Sequence, residues 1–122
     1  FLQPTRIGHG VRSTEDPELL DLLRQRMVHL EVCPSSNLQT NIYPEMAEHV
    51  LDELYRAGLS VSISTDARTI TDITLEQEYE NLRRVFGWTD SDFMQCNLNA
   101  LEASFIPDDL KRTLAARIRS AN

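Results

Sequence analysis

The sequence is short of positive charge. Its Lys and Arg number 12 against 19 Asp and Glu, a net charge of -7 at pH 7 with a pI near 4.8. Phosphate backbones are bound by basic surfaces, so this deficit argues against a nucleic-acid partner. Cysteine is also scarce. Cys33 and Cys96 are too few for a disulfide framework and fit a reducing compartment, which places the expectation in the cytoplasm. No signal peptide and no apolar run long enough to cross a membrane is visible, so no membrane partner is expected. Low-complexity segments, long linkers and residue-level repeats are missing too. There is no initiator methionine, and the chain opens at Phe1-Leu2-Gln3-Pro4, as the C-terminal part of a longer protein would. The 122 residues are enough for one domain, residues 1–122, which buries roughly two thirds of its unfolded surface. The composition suits a soluble enzyme acting on small molecules without identifying one.

The chain is organised around three strand-like runs that end in polar residues. Thr5 to His9 ends on a histidine between Gly8 and Gly10. Val28 to Val32 runs into Cys33-Pro34-Ser35-Ser36-Asn37, which reads as a loop because Pro34 cannot continue a strand. Ser60 to Thr65, punctuated by Gly58, runs into Asp66. Helical patterns lie between them. The first begins near Asp16, with Pro17 at its first position and an apolar face of Leu19, Leu22, Leu23 and Met27. After an irregular stretch from Leu38 to Tyr43, the second is predicted from Pro44 to Ala57, stopped by Gly58. A third spans Thr74 to Phe86 behind the capping box Thr74-Leu75-Glu76-Gln77 and ends at Gly87. Two more follow with no strand between them, Ser91 to Ser104 and Pro107 to Ser120. The order βα, βα, βα, α, α implies a parallel sheet with right-handed crossovers, part of an α/β barrel. A whole (β/α)₈ barrel takes about 250 residues, with a floor near 200, so the chain is too short to close one.

Barrel enzymes keep their chemistry at the carboxyl ends of the strands, and three residues there stand out. His9 is either a satisfied histidine in a tight strand-end loop, or a base, or a group that holds a hydroxide in place; the glycines beside it let another group approach the backbone. Asp66 is either a helix cap, or a partner of Arg68, or an oxygen ligand of the kind Zn²⁺ takes beside imidazole. Glu31 alternates away from Leu30 and Val32, so it faces the barrel interior. It is either an exposed strand carboxylate or the orienting partner of His9. His29 stands at a strand start, away from the chemistry, and His49 is expected to be solvated. Cys33 is followed by Pro34 and has no local histidine, which argues against a nucleophile. Glu76, Glu78 and Glu80 read as a solvated helix face.

Together, Arg6-Ile7-Gly8-His9-Gly10, Glu31-Val32-Cys33-Pro34-Ser35-Ser36-Asn37 and Ser64-Thr65-Asp66 resemble the adenosine deaminases in order and spacing. The likeness continues through Glu78-Tyr79, Asn97-Leu98-Asn99-Ala100 and Ser104-Phe105-Ile106-Pro107, covering nearly the whole chain. It implies the last three βα units and the C-terminal helices of a zinc-dependent (β/α)₈ TIM barrel. In that family zinc is held by three histidines and an aspartate, water attacks C6 of the purine, and ammonia leaves. The resemblance assigns Asp66 to the aspartate ligand, His9 to the histidine that positions or deprotonates the water, and Glu31 to the carboxylate beside it. The family's His-x-His pair and its His-Ala-Gly-Glu motif would lie upstream, in the missing N-terminal part of the barrel. Where many members carry a second Asp that contacts the purine ring, this sequence has Ala67, followed by Arg68-Thr69, as in a bacterial branch with T-D-x-R-T. Ala67 is therefore the substrate-binding position to watch.

The expected partner is a purine nucleoside, adenosine or 2′-deoxyadenosine, deaminated to inosine in purine salvage. The alternatives are adenine or another 6-aminopurine, and a catalytically silent homologue that binds a partner. Residues 1–122 alone are expected neither to hold zinc tightly nor to turn over.

Overall fold

The computed structural model describes residues 2–120. In chain order the strands are β1 (Arg6–Gly8), β2 (His29–Val32) and β3 (Val61–Ile63). The α-helices are α1 (Pro17–Gln25), α2 (Pro34–Gln39), α3 (Leu51–Arg56), α4 (Arg68–Thr71), α5 (Leu75–Phe86), α6 (Asp90–Glu102) and α7 (Asp108–Ser120). The strands form one parallel sheet in the order β1-β2-β3. That is the three-unit βα pattern with its helical tail.

Register explains how the sheet is used. Ile7 pairs with Leu30, Leu30 with Val61, and Val32 with Ile63. Paired residues point to the same side, so these side chains share one face. Leu30, Val32, Val61 and Ile63 form a single buried cluster with Leu23 of α1, Leu51 and Leu54 of α3, Leu82 of α5, and Phe93 and Cys96 of α6, and the partly buried Ile7 packs against it. The other face carries Arg6, Gly8, His29, Glu31 and Ser62. His29 is buried there with both ring nitrogens satisfied, Nδ1 by Ser60 Oγ at 2.8 Å and Nε2 by Ser62 Oγ at 2.9 Å. The far edge of β3 is covered by α6, whose Asn99 side-chain amide donates to the Val61 carbonyl at 3.2 Å.

Several helix ends follow their local chemistry. Asp16 accepts from the Glu18 and Leu19 N–H groups, and Pro17 occupies the first turn, where its missing donor costs nothing. Thr74 and Gln77 close the capping box of α5, and Gly87 ends that helix at φ 68°. A second box, Thr89 with Asp92, opens α6; its Asp, in place of the usual Glu or Gln, hides it from a sequence search.

Two predicted elements differ. The segment Pro34 to Gln39 is helix α2, not a loop, with Pro34 in its first turn. Proline both ends the strand and suits a helix start, and here it does both. The predicted helix from Pro44 to Ala57 is broken. A 3-10 turn covers Met46–Glu48, His49 is extended, and α3 starts only at Leu51. The break occurs because the His49 ring turns inward and accepts the Leu51 main-chain N–H at 3.0 Å. His49 is therefore buried, not solvated. Glu78 also departs from the solvated face assigned to it and is fully buried.

Candidate active site

His9 follows β1 directly, and its N–H donates to the Glu31 carbonyl at 2.9 Å, extending the β1–β2 pairing by one bond. Asp66 follows β3 after Ser64, whose N–H donates to the Val32 carbonyl at 2.8 Å. Both residues have left-handed backbone, φ 58° for His9 and φ 60° for Asp66. Residues other than glycine hold that conformation at a cost of order 1–3 kcal/mol, and such strain gathers at functional sites. Gly10 helps keep the turn: at φ 70° it packs so closely that a Cβ would stand 2.8 Å from Leu30 Cδ2.

The two strand ends lie on opposite sides of β2, yet their side chains meet above it. His9 Nε2 is 3.6 Å from Asp66 Oδ2, and each side chain is 40% exposed. Asp66 Oδ2 accepts the Ser36 hydroxyl at 2.7 Å, and Oδ1 accepts the Ala67 N–H at 2.8 Å. The Ser36 hydroxyl first, and the Ala67 amide after it, hold this carboxyl below the usual range, so Asp66 is ionised at neutral pH. The pair stands on the wall of an open cleft of about 600 Å³, lined also by Leu19, Leu23, Leu30 and Ile42.

Cys33 completes a cluster. One ligand atom each from His9, Cys33 and Asp66 lies within 4.8 Å of the others, the one such group of three among the described residues. Its members are unequal as metal ligands. Burial pushes the Cys33 thiol up to about 11, so without a metal beside it Cys33 is a neutral thiol at neutral pH and a poor nucleophile. The ionised Asp66 oxygen suits zinc, and the His9 imidazole borders the same space. A catalytic zinc usually takes three protein ligands, so this donor set fits part of such a site.

Glu31 lies on the face expected of it, but its carboxylate has a partner other than His9. Its carboxylate is paired with Arg6, whose Nε donates to Oε1 at 2.6 Å and whose terminal nitrogen makes a second contact. Arg6 is two residues before Gly8 on the same face, so its guanidinium takes the carboxylate that was expected to orient His9. The link from Glu31 to His9 is through the main chain. Ala67 is exposed and offers the site only a methyl group and the amide already given to Asp66.

What does hold His9 comes from α2. The Asn37 side-chain amide lies 3.1 Å from His9 Nδ1, and its Oδ1 lies 3.0 Å from His49 Nε2. Below, Glu78 Oε1 accepts the Ser35 N–H at 3.1 Å at the start of α2, while its Oε2 has no partner among the described residues. Burial raises the Glu78 pKa, favouring the neutral acid. Ser36, Asn37, His49 and Glu78 were all missed in the sequence. Ser36, Asn37 and Glu78 do lie within the motifs that carry the resemblance, and Glu78, three residues after Leu75 and four before Leu82, also lies on the apolar stripe of α5.

The adenosine deaminase family model matches residues 1–121. An adenosine deaminase of Lacticaseibacillus casei is 40% identical over 113 residues, covering 93% of this chain and 33% of that protein. Among solved structures, an adenine deaminase from Arthrobacter aurescens superposes with a TM-score of 0.91 at 28% identity, over 95% of this chain and 36% of that one. An amidohydrolase from Burkholderia ambifaria with bound Zn superposes with a TM-score of 0.83 at 26% identity, over 96% of this chain and 33% of that one. The chain thus spans about a third of the length of the relatives it matches, and its sheet and helices are the last part of their barrel. Family match and strand-end geometry agree: the chain belongs to the adenosine deaminase family.

Proposed function

We propose that these residues form the C-terminal third of a zinc-dependent purine deaminase, and that the intact protein hydrolyses adenosine or 2′-deoxyadenosine to inosine and ammonia. The observation that carries this reading is the meeting of His9 and Asp66 above β2, 3.6 Å apart. Overall, water adds its oxygen at C6, the bond from C6 to the amino nitrogen breaks, and that nitrogen leaves as ammonia. Asp66 is the residue here that would hold zinc, with the other ligands supplied from upstream. When bound, zinc lowers the pKa of water and so supplies a nucleophile at neutral pH. Ser36 and the Ala67 amide keep Asp66 ionised and aimed. His9 presents Nε2 beside Asp66, within reach of a water placed between them. The apolar wall of the cleft excludes bulk water from one side of that space. The reaction belongs to cytoplasmic purine salvage in this reading.

The test is turnover. The full-length protein, loaded with zinc, should convert adenosine to inosine with release of ammonia, and removal of zinc by a chelator should abolish it. Residues 1–122 alone should do neither and should lose zinc on desalting. A zinc-loaded protein inert toward adenosine, 2′-deoxyadenosine, adenine and other 6-aminopurines would overturn the proposal in favour of a silent binding protein.

A second reading shares the chemistry and changes the substrate to adenine. Ala67 favours it, because this position has no side-chain hydrogen bond for the purine, and the Arthrobacter aurescens structure is of an adenine deaminase. A site that hydrogen-bonds its substrate discriminates strongly against one lacking the matching group. Competition between adenosine and adenine, in the wild type and in Ala67→Asp, separates the two readings by their kcat/KM ratio.

A further inference from the structure

The hydrogen bonds behind His9 form a chain that begins on a group with only one possible polarity. Leu51 N–H is a main-chain donor, and it points at His49 Nδ1 from 3.0 Å. That nitrogen must therefore carry its lone pair. His49 is 3% exposed, and burial pushes its pKa down to about 4, so the ring is neutral at pH 7 and its one proton sits on Nε2. Nε2–H faces the Asn37 side chain at 3.0 Å, so the atom of Asn37 that meets it must be the acceptor Oδ1. An amide has one oxygen and one nitrogen, so its other end is the donor. Asn37, 1% exposed, cannot turn over without setting its NH₂ against the His49 N–H. Its Nδ2 then donates to His9 Nδ1 at 3.1 Å.

We propose that His49 and Asn37 are positioning residues that keep the His9 lone pair on Nδ1 and its proton on Nε2, so that His9 presents a hydrogen-bond donor, not a base, to the space beside Asp66. For its consequence this rests on the deaminase reading. With Nδ1 already accepting from Asn37 and Nε2 already protonated, His9 has no free lone pair facing the site. It holds an incoming water through that water's oxygen and aims it. Both positioning residues are buried behind His9, and Asn37 also borders the cleft. They act through one imidazole, which also explains why His49 interrupts a helix to point inward: continuing the helix would remove the start of the chain.

The experiment reads the tautomer directly. The full-length protein, labelled with ¹⁵N-histidine and carrying its metal as purified, is examined by two-bond ¹H–¹⁵N correlation, with the His9 signals assigned by their loss in His9→Asn. The expected wild-type pattern is an unprotonated Nδ1 and a protonated Nε2. His49→Phe removes the fixed donor, frees Asn37 to turn, and should shift His9 toward the Nδ1–H form, with kcat falling about 10- to 100-fold, as for other partners that orient a functional histidine, and KM little changed. His49→Gln, whose amide can donate to Asn37 Oδ1, should restore the wild-type pattern and most of kcat. A wild-type His9 with its proton on Nδ1 overturns the proposal, as does an unchanged tautomer in folded His49→Phe. If that variant does not fold, the wild-type spectrum decides alone. The spectrum needs no substrate, so its outcome is separate from that of the turnover test.

Discussion

One face of the sheet carries Ile7, Leu30, Val32, Val61 and Ile63; the other carries Arg6, His29, Glu31 and Ser62. The same three strands supply both, in alternation. On the apolar face any neighbour of the right size serves, because burial is non-directional, and four helices contribute to one cluster. On the polar face and at the strand ends every group needs a particular partner. His29 has two serines, Glu31 has Arg6, Asp66 has Ser36, and His9 has Asn37. The difference implies a division of labour in which the apolar face holds the fold and the polar ends hold the chemistry. Each part of that division can be broken separately.

The largest effect should come from His9→Asn in the intact protein, asparagine being chosen because it tolerates the left-handed backbone. A group that positions or transfers protons contributes about 10² to 10⁴-fold, roughly 3 to 5 kcal/mol of barrier. Steady-state kinetics with a zinc assay should show kcat lost, zinc retained and thermal stability nearly unchanged. The complement is Leu54→Ala. Leu54 is fully buried in the apolar cluster and does not line the cleft, and truncating such a leucine costs about 2–5 kcal/mol of stability. Denaturant unfolding should show that loss. If folded Leu54→Ala lost kcat as His9→Asn does, or His9→Asn lost stability as Leu54→Ala does, the two faces would not be divided as described.

The same contrast explains what could be read from the sequence. The strands, the α1 start, and the helices α5, α6 and α7 were legible because apolar periodicity and capping chemistry are local signals. So was the placement of His9 and Asp66 at the ends of their strands. Helix α2 was not. Pro34-Ser35-Ser36-Asn37 has the composition of a loop; here it forms a helix with Pro34 in its first turn, and Glu78, 43 residues beyond Ser35, accepts the Ser35 N–H. The Asn37–His49 bond spans a broken helix that periodicity had drawn as continuous. Glu31 was rightly placed on the inner face, but the competition between His9 and Arg6 for it depended on side-chain reach across two strands.

A smaller effect tests the relay from the side of stability. His49 has its pKa lowered to about 4 by burial, against an ordinary 6.5. Between those values the unfolded chain binds a proton that the native state refuses, so stability falls as pH drops from about 6.5 to about 4. The contribution is fully present above that window. The whole difference is worth roughly 3 kcal/mol. Urea unfolding from pH 7.5 to pH 4 should show this slope in the wild type and a shallower one in His49→Gln, which has nothing to protonate. Parallel slopes would place the His49 pKa near its ordinary value and loosen the first step of the relay.

The smallest effect is expected where the polar face is least enclosed. Arg6 and Glu31 have side chains about a third exposed, 32% each. An ion pair that water still reaches gains little net energy, about 0–1 kcal/mol. The pair is nevertheless well built: Arg6 makes two contacts to one carboxylate oxygen, and its guanidinium lies 5.0 Å from the centre of the Phe105 ring. A double-mutant cycle on Arg6→Met and Glu31→Gln should therefore give a coupling energy under about 1 kcal/mol that declines with added salt. Kinetics sharpen the same comparison. Were Glu31 the orienting partner of His9, Glu31→Gln would cost kcat while Arg6→Met, by freeing the carboxylate, would not. With Glu31 committed to Arg6 and Asn37 holding His9, both variants should change kcat little and alike. A large loss confined to Glu31→Gln would show that the carboxylate leaves Arg6 for His9 during turnover, and would return Glu31 to the site.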